Sequence, residues 1–411
     1  MKRVLSLCPL WFALCCWQTE AQIYDTNNDI VQTLAGSGFS GYVDGVGLLT
    51  MFHNPSQIVA DSQSNLFVLD VNNSRIRKIT PDGTVSTFLG GGNQWPTGSG
   101  TSASLIVNQD SSMAIDHSNV LWIATSSGYL VRVGPDAYMA AIFLNGTSLP
   151  WGTCADSGNN IYISDFYGNR IYRYSTNGVL AVFAGSGNQG YADGHGIFTA
   201  FYQPAALAAD SADNIYVWDS ANRLIRRIDQ SQNVTTLAGK YLNGSNADGV
   251  GTNASFGSVS GMCADGSGNL ILACGTSIRN MSVTINVTTL AGSFTQNGYA
   301  NGAGNLAQYS GAIGVCLSGS TIYVADSGNQ RIRSITCNPT AQLVLPANLQ
   351  LNTYPGLQIV GTVGRTYQIQ SSPDMTNWTT RATLLLASSP YLWFDQNVVS
   401  GNKFYRAWLL P

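Results

Sequence analysis

A long internal repeat is the feature that most constrains the fold of this chain. The segment NLFVLDVNNSRIRKITPDGTVSTFLG at residues 65–90 recurs closely in three further copies and more loosely in two others, giving six copies in all. The close copies occupy residues 160–185, 214–239 and 321–336, and the loose ones residues 120–133 and 269–283. Successive copies are 40 to 55 residues apart. A period of this length indicates a repeat architecture in which each copy is one supersecondary unit.

Each copy contains four short apolar or β-branched runs, such as QIVA, NLFVLD, RIRKI and TVSTFL, separated by turn residues. No segment has a helical period. The sequence therefore predicts an all-β fold in which six four-stranded sheets pack radially as the blades of a six-bladed β-propeller. The last copy ends at Thr336 after three strands, while IVQTLAG at residues 30–36 matches the fourth strand of the other copies. We expect this N-terminal strand to complete the last blade and close the ring.

The glycine-rich phrase AGSGFSGYVDG at residues 35–45 contains the GxGxxG spacing of dinucleotide-binding loops. It returns as AGSGNQGYADG at residues 184–194, and a strand-like segment follows it where a cofactor loop would lead into a helix. We therefore interpret these phrases as crossings between blades, in which glycines supply positive φ angles.

The repeat resembles the NHL repeat. The resemblance rests on the sequence P..I..D, NLFVLD or NIYVWD, NxRIRKI and TLAG.G..G..DG, and it covers residues 30–336. Copies one, four and six match the pattern well, and copies two, three and five match it in part. The resemblance implies a six-bladed propeller for residues 22–337.

Both ends of the chain differ from the repeat. Residues 1–21 combine Lys2 and Arg3 with an apolar run and a small residue at Ala21, which predicts a secretory signal peptide. A lipoprotein anchor is the alternative, although bulky residues precede Cys15 and Cys16. Residues 338–411 resemble the small β-sandwich modules at the C-termini of secreted bacterial proteins, which implies a sorting or attachment role. We expect a secreted or cell-surface protein.

Composition excludes several classes of function. The net charge of −3 disfavours a nucleic-acid partner, which requires a positive face. The only glutamate is Glu20, so chemistry beyond residue 21 has Asp as its only acidic side chain. No later apolar run is long enough for a membrane-spanning helix. Five cysteines follow residue 21, and their apolar surroundings indicate buried thiols rather than disulfides. We expect a monomer.

Seven residues around the second strand of the close copies are predicted to be structural. An Asp ends the strand, a turn of the DxxN type follows, and an Arg begins the next strand, so we expect an exposed Asp–Arg contact across the turn. The aspartates are Asp70, Asp165, Asp219 and Asp326, and the arginines are Arg75, Arg170 and Arg331.

The crossings contain the candidate binding residues. Asp44, Asp193 and Asp248 of the DG loops offer oxygen ligands for Ca²⁺ or contacts to a glycan, although an EF-hand spacing is absent. Tyr42, Tyr191 and Tyr299 precede these loops and either form aromatic platforms or pack under their own loops. Crossings two and three depart from the repeat and contain Trp95 and Trp151, which we therefore also predict to contact a partner.

These residues favour a non-enzymatic binding scaffold that presents a propeller face to a protein or glycan. The alternatives are a lyase or lactonase with a metal in the central channel, and a passive spacer on a surface protein. The enzyme alternative has little support, because His53 and His195 lie in crossings and His117 lies in a turn on the opposite face. No catalytic residues and no cofactor are predicted.

Overall fold

The computed structural model describes the repeat region in full and parts of the C-terminal region. The described residues are 24, 29–337, 343–344, 356–359, 362, 365–374, 376–386, 391–394 and 404–410. The predicted signal peptide lies outside them. Every regular element in these residues is a β-strand or a three-residue 3-10 turn. The all-β prediction is therefore confirmed, and no described helix has the length and apolarity to cross a bilayer.

Residues 30–336 form six antiparallel sheets, numbered I to VI in chain order. The first strand is β1 (Ile30–Ala35), which belongs to sheet VI. Sheet I contains β2 (Gly45–Val46), β3 (Pro55–Ala60), β4 (Leu66–Asp70), β5 (Arg75–Ile79) and β6 (Thr84–Gly90). Sheet II contains β7 (Thr97–Ser99), β8 (Ser112–Ile115), β9 (Leu121–Ala124), β10 (Tyr129–Val133) and β11 (Tyr138–Phe143). Sheet III contains β12 (Pro150–Ala155), β13 (Ile161–Asp165), β14 (Arg170–Tyr174) and β15 (Leu180–Ala184).

The other three sheets repeat this plan. Sheet IV contains β16 (Gly194–His195), β17 (Pro204–Ala209), β18 (Ile215–Asp219), β19 (Leu224–Ile228) and β20 (Asn233–Ala238). Sheet V contains β21 (Gly249–Val250), β22 (Gly261–Ala264), β23 (Leu270–Ala273), β24 (Ser277–Met281) and β25 (Asn286–Gly292). Sheet VI contains β26 (Gly302–Ala303), β27 (Ala312–Ser318), β28 (Thr321–Asp326) and β29 (Arg331–Thr336), together with β1.

The predicted four-stranded meander is present in every sheet, and five sheets add a short fifth strand at the outer edge. In sheet I this strand is β2, which pairs with Thr84 and Val85 of β6. Its source is the DG loop of the crossing, where Gly45 has a φ of 150°. Sheet III has four strands, because the crossing that leads into it, residues 144–149, is too short to add a fifth.

The sheets are buried on both faces, as the apolar patterns predicted. All five residues of β4 are buried, so side chains pointing in both directions are covered. Leu69, Ile76 and Leu89 of sheet I pack in one cluster with Met113 and Ile123 of sheet II. The cores therefore lie between neighbouring sheets, as in radially stacked blades.

The pairing of β1 with the last sheet is confirmed. It lies antiparallel to β29, with Val31 opposite Ile335 and Gln32 opposite Ser334. The first strands of successive sheets also lie beside one another in the order β3, β8, β12, β17, β22 and β27, and β27 contacts β3.

The described residues of the C-terminal region include six strands in two antiparallel sheets. They are β30 (Leu343–Val344), β31 (Gly356–Ile359), β32 (Thr366–Ser372), β33 (Thr379–Leu385), β34 (Tyr391–Phe394) and β35 (Phe404–Leu409). One sheet has the order β30-β31-β34 and the other β33-β32-β35. Tyr367, Ile369 and Leu386 form a small buried cluster. The domain boundary at residue 338 and the packing of a sandwich stay predictions.

Candidate functional site: the crossing face

The crossings and the turns between the second and third strands meet on one surface, which we call the crossing face. In sheet I, the amide of His53 donates to Asp70 at 2.7 Å, and the side chain of Asn73 donates to the carbonyl of Gly41 at 2.8 Å. Equivalent hydrogen bonds occur in sheets IV and VI. These hydrogen bonds hold the two kinds of loop together on the same surface.

The predicted exposed Asp–Arg contact across the turn is wrong. Asp70 is fully buried, and its partner is Arg77, at 2.9 Å, rather than Arg75. The same pair recurs as Asp219–Arg226 at 2.8 Å and Asp326–Arg333 at 2.7 Å, with every side chain fully buried. Residues i and i+2 of a strand share a face, so Arg75 and Arg77 both point toward the crossing, and Arg77 is the one that reaches the carboxylate.

The arginines that begin the third strands, which the sequence predicts as partners of the aspartates, instead bind backbone carbonyls. Arg75 donates to the carbonyl of Asn73 at 2.6 Å, Arg170 to that of Ser186 at 3.0 Å, and Arg331 to that of Ser37 at 2.8 Å. These bonds hold turns and crossings together.

Asp165 stabilises the crossing into sheet III through backbone amides, and no arginine equivalent to Arg77 pairs with it. Tyr172 stands in sheet III where Arg77 stands in sheet I. The buried carboxylate of Asp165 accepts hydrogen bonds from the amides of Ser148 and Leu149, at 2.9 and 2.8 Å.

The DG-loop aspartates also bind the buried arginines. Asp44 binds Arg77 at 2.6 Å, Asp193 binds Arg226 at 2.7 Å, and Asp248 binds Arg279 at 2.9 Å. In sheet VI the amide oxygen of Asn301 takes this place and accepts from Arg333 at 2.9 Å. Each carboxylate also accepts the amide of a threonine on the outer strand, so its main role is to fix the crossing to the sheet.

The electrostatics of these clusters depend on burial. Desolvation raises the pKa of Asp219 to about 6, and hydrogen bonds from Asn222, the Tyr202 amide and Arg226 act against it. Burial also raises the pKa values of Asp70 and Asp326. Each DG-loop aspartate is paired with a fully buried arginine, whose positive charge beside the carboxylate opposes binding of Ca²⁺ at the same place. Within the described residues, no group of three or more His, Cys, Asp or Glu side chains is placed to hold a metal.

The three crossing tyrosines have two different environments. The guanidinium of Arg75 lies 4.0 Å from the ring centroid of Tyr42, and that of Arg331 lies 3.8 Å from the ring of Tyr299. These two tyrosines therefore pack against their own sheets through cation–π contacts. Tyr191 instead contacts another tyrosine, Tyr241, with ring centroids 4.2 Å apart.

The two candidate tryptophans lie in different places. Trp95 is in the crossing into sheet II, as predicted, where it packs edge-on against Tyr129 at 5.4 Å and borders a surface cavity of 480 Å³. Trp151 is not in a crossing: it lies in β12, stacks on Phe166 at 4.5 Å and lines the central cavity. Crossing three ends at residue 149, so the strand begins earlier than the sequence suggested.

The central cavity has a volume of 420 Å³ and is lined by the first strands of all six sheets. Most lining side chains are small or apolar, and none is an Asp, Lys or Arg. His117 is the one imidazole in the lining, while His53 and His195 belong to crossings. This composition suits packing or an apolar ligand better than acid–base chemistry.

Cys154, Cys263, Cys274 and Cys316 are free thiols, and all of them but Cys263 are buried, as is Cys337. Burial raises the pKa values of Cys263 and Cys274 to about 12. Such thiols stay protonated at neutral pH and are poor nucleophiles.

Comparison with known proteins supports the repeat and the fold. Residues 147–174 match the NHL repeat, and they include residues 160–174 of copy three, which resembles the pattern only in part. NHL repeat-containing protein 2 from Homo sapiens is 26% identical over 346 residues, a match that covers 78% of this chain and 44% of the relative. The chain thus spans less than half the length of this relative.

Two solved structures from Bacteroides thetaiotaomicron VPI-5482 share the fold. A protein of unknown function has a TM-score of 0.60 and 17% identity, covering 75% of this chain and 76% of the other. An auxiliary nutrient binding protein has a TM-score of 0.59 and 15% identity, with the same coverage. These matches support an NHL-type repeat at residues 147–174 and a propeller-like all-β fold.

Proposed function

We propose that this chain is a secreted, non-enzymatic binding protein whose crossing face takes a protein or glycan partner. The observation that carries the proposal is a set of large apolar side chains on the crossings that are between 56% and 81% exposed. They are Phe39, Leu48, Leu49, Ile197, Phe198 and Leu306. Aromatic and apolar residues are enriched in the cores of interfaces.

The backbone beneath these side chains is well fixed. Leu48 and Leu49 occupy the 3-10 turn Gly47–Leu49, and Ile197 and Phe198 occupy the equivalent turn Gly196–Phe198. Each turn follows a DG loop whose aspartate binds a fully buried arginine. A rigid loop loses little conformational entropy when a partner binds, so its exposed side chains are suited to recognition.

The propeller in this proposal is closed and six-bladed. Two observations support it: β1 pairs into sheet VI, and the first strands of the six sheets follow one another with the sixth beside the first. Closure gives a single rigid disk that carries all the crossings.

The proposed location is outside the cytoplasm. The predicted signal peptide at residues 1–21 supports it, and a binding role agrees with the nutrient-binding description of one protein that shares the fold. Residues 338–411 would then attach or sort the propeller at the cell surface.

The experiment is a binding screen of the protein without residues 1–21 against cell-envelope proteins and oligosaccharides, run beside assays with lyase and lactonase substrates. The test variant is Leu49→Ser/Phe198→Ser. The control is Val179→Ser/Val283→Ser, which changes exposed residues in the turns between the third and fourth strands of sheets III and V. We expect the test variant to weaken binding more than about tenfold, equivalent to about 1.4 kcal/mol, and the control to leave it unchanged.

Three results would contradict this proposal. Turnover of a lyase or lactonase substrate, with no ligand found in the binding screen, would favour an enzyme. The absence of both binding and turnover would favour a passive spacer. Equal binding by the two variants would place the partner elsewhere on the molecule.

A further inference from the structure

We propose that the cleft between Tyr191 and Tyr241 on the crossing face binds a neutral sugar residue. This inference rests on the proposed function, because it names the ligand class for one part of the crossing face. It starts from a departure of sheet IV from the other repeats.

Three sheets share a paired arginine and glycine at this position. Arg75, Arg170 and Arg331 begin the third strands of sheets I, III and VI, and their guanidinium groups lie against Gly91, Gly187 and Gly38 of the next crossing. Each of these glycines has a φ between 90° and 94°, and a side chain on any of them would clash with the arginine. The arginine and the glycine are therefore a matched pair.

Sheet IV lacks both members of this pair. Leu224 stands where Arg75, Arg170 and Arg331 stand. Tyr241 follows Gly239 by two residues and so stands where sheets III and VI have Gly187 and Gly38. In sheets I and VI the arginine covers the ring of the crossing tyrosine, whereas in sheet IV the ring of Tyr191 meets Tyr241 at an interplanar angle of 40°. Tyr191 remains 51% exposed and Tyr241 47% exposed.

Loss of the arginine leaves an open cleft of 620 Å³ in this place. Its walls are Tyr191, Asp193, Leu224, Thr236, Lys240 and Tyr241, together with three small residues. The volume lies within the range of small-molecule sites, roughly 300–1,000 Å³. Two aromatic rings form one part of the wall, and a carboxylate, a hydroxyl and an ammonium group form another.

This combination suits a pyranose ring. One face of a pyranose presents C–H bonds, which pack on an aromatic ring, and its edge presents hydroxyl groups, which need donors and acceptors. The side chain of Asp193 is 47% exposed. Its carboxylate accepts hydrogen bonds from Arg226 and Thr236. Because a carboxylate has about four acceptor positions, it can still accept a hydrogen bond from a sugar hydroxyl. Lys240 supplies up to three donors.

The charges of the cleft favour a neutral ligand. Asp193 and Asp219 are balanced by Arg226 and Lys240, so the site has no net charge to attract a phosphate or a polyanion. The carboxylate of Asp193 at the wall would also repel an anion.

The experiment uses the protein without residues 1–21 and measures calorimetric binding of neutral oligosaccharides: β-1,4-glucan, β-1,3-glucan, xylan, mannan and chitin fragments. The test variant is Leu224→Arg/Tyr241→Gly, which introduces the arginine–glycine pair of sheets I, III and VI. The arginine fills the cleft, and the pair is one that this fold already contains. Tyr241→Ala is a second test variant. The control is Tyr42→Ala, which removes a crossing tyrosine that an arginine already covers.

We expect at least one oligosaccharide to bind, both test variants to lose more than about tenfold in affinity, and the control to bind as the parent does. Unfolding midpoints near that of the parent would show that the double variant is folded. If sugar binding survives in both test variants, or if no oligosaccharide binds while an envelope protein does, the cleft is not a sugar site and the proposed function stands. If neither class of ligand binds, both proposals fail.

Discussion

Arg77 is the residue whose replacement tests the account of the buried ion pairs most severely. Its guanidinium donates to Asp70 at 2.9 Å and Asp44 at 2.6 Å, and to the carbonyls of Val43 and Met51 at 3.0 Å each. Arg77→Met keeps most of the side-chain volume and removes the charge. Removal of one partner of a buried pair costs about 3–5 kcal/mol, because the remaining charge stays desolvated.

We expect the lower end of that range, about 3 kcal/mol, since Asp70 keeps hydrogen bonds from the His53 amide and the Asn73 side chain. The matched control is Arg75→Met, two residues away. It loses one hydrogen bond to a carbonyl and a cation–π contact with Tyr42, and should cost about 1 kcal/mol. Urea unfolding followed by fluorescence measures both free energies of unfolding. Equal losses for the two variants would refute the assignment of Arg77 as the buried partner.

The pH dependence of this variant provides a second check. Burial raises the pKa of Asp70 above its unfolded value, and loss of Arg77 removes an attraction that opposes the shift. Between the unfolded and folded pKa values the native state binds more protons, so its stability falls as pH rises. The deficit of Arg77→Met should therefore be larger at pH 8 than at pH 5. A deficit that grows on acidification would contradict this reasoning.

Two further predictions concern glycines and thiols. Gly38→Ala should destabilise the protein by at least about 1 kcal/mol more than Gly83→Ala. Both glycines have a positive φ, but only at Gly38 would an added Cβ meet a neighbour, Arg331. Equal unfolding midpoints for the two variants would show that the arginine moves freely. Iodoacetamide at pH 8 should leave the buried, protonated thiols of the native repeat region unmodified and label them after unfolding, as read by mass spectrometry. Rapid native labelling would mean that these strands open. Four of these thiols, Cys154, Cys274, Cys316 and Cys337, are buried, and the fifth, Cys263, is half-buried with a pKa of about 12.

The sheets could be predicted from the sequence because each strand has a period-two or fully apolar pattern and each turn has its own residues. The pairing of β1 with β29 followed from counting strands in the last copy. The fifth strands could not be predicted, since a two-residue segment such as Gly45–Val46 has no periodic signal. The six-residue crossing before Pro150 likewise gave no sign that Trp151 belongs to a strand.

The candidate site was predicted only in part. The crossing face and its tyrosines were expected, but Arg75 and Arg77 share a strand face, and their depth relative to Asp70 is a tertiary property that sequence spacing does not specify. A signal for the second arginine exists: it recurs as Arg226, Arg279 and Arg333, including in sheet V, where the aspartate is missing. The cleft at Tyr241 also had a signal, because Leu224 replaces the repeated arginine.

A disulfide across β1 and β29 tests the central claim, that the chain closes into one ring, most directly. Gln32 and Ser334 are register partners on these strands. Mild oxidation of the Gln32→Cys/Ser334→Cys variant, followed by non-reducing peptide mapping, should give a cross-link between positions 32 and 334. The comparison variant Gln32→Cys/Ser86→Cys, with its second position on the outer strand of sheet I, should give none. Absence of the first cross-link, or equal formation of both, would contradict a ring closed by the N-terminal strand.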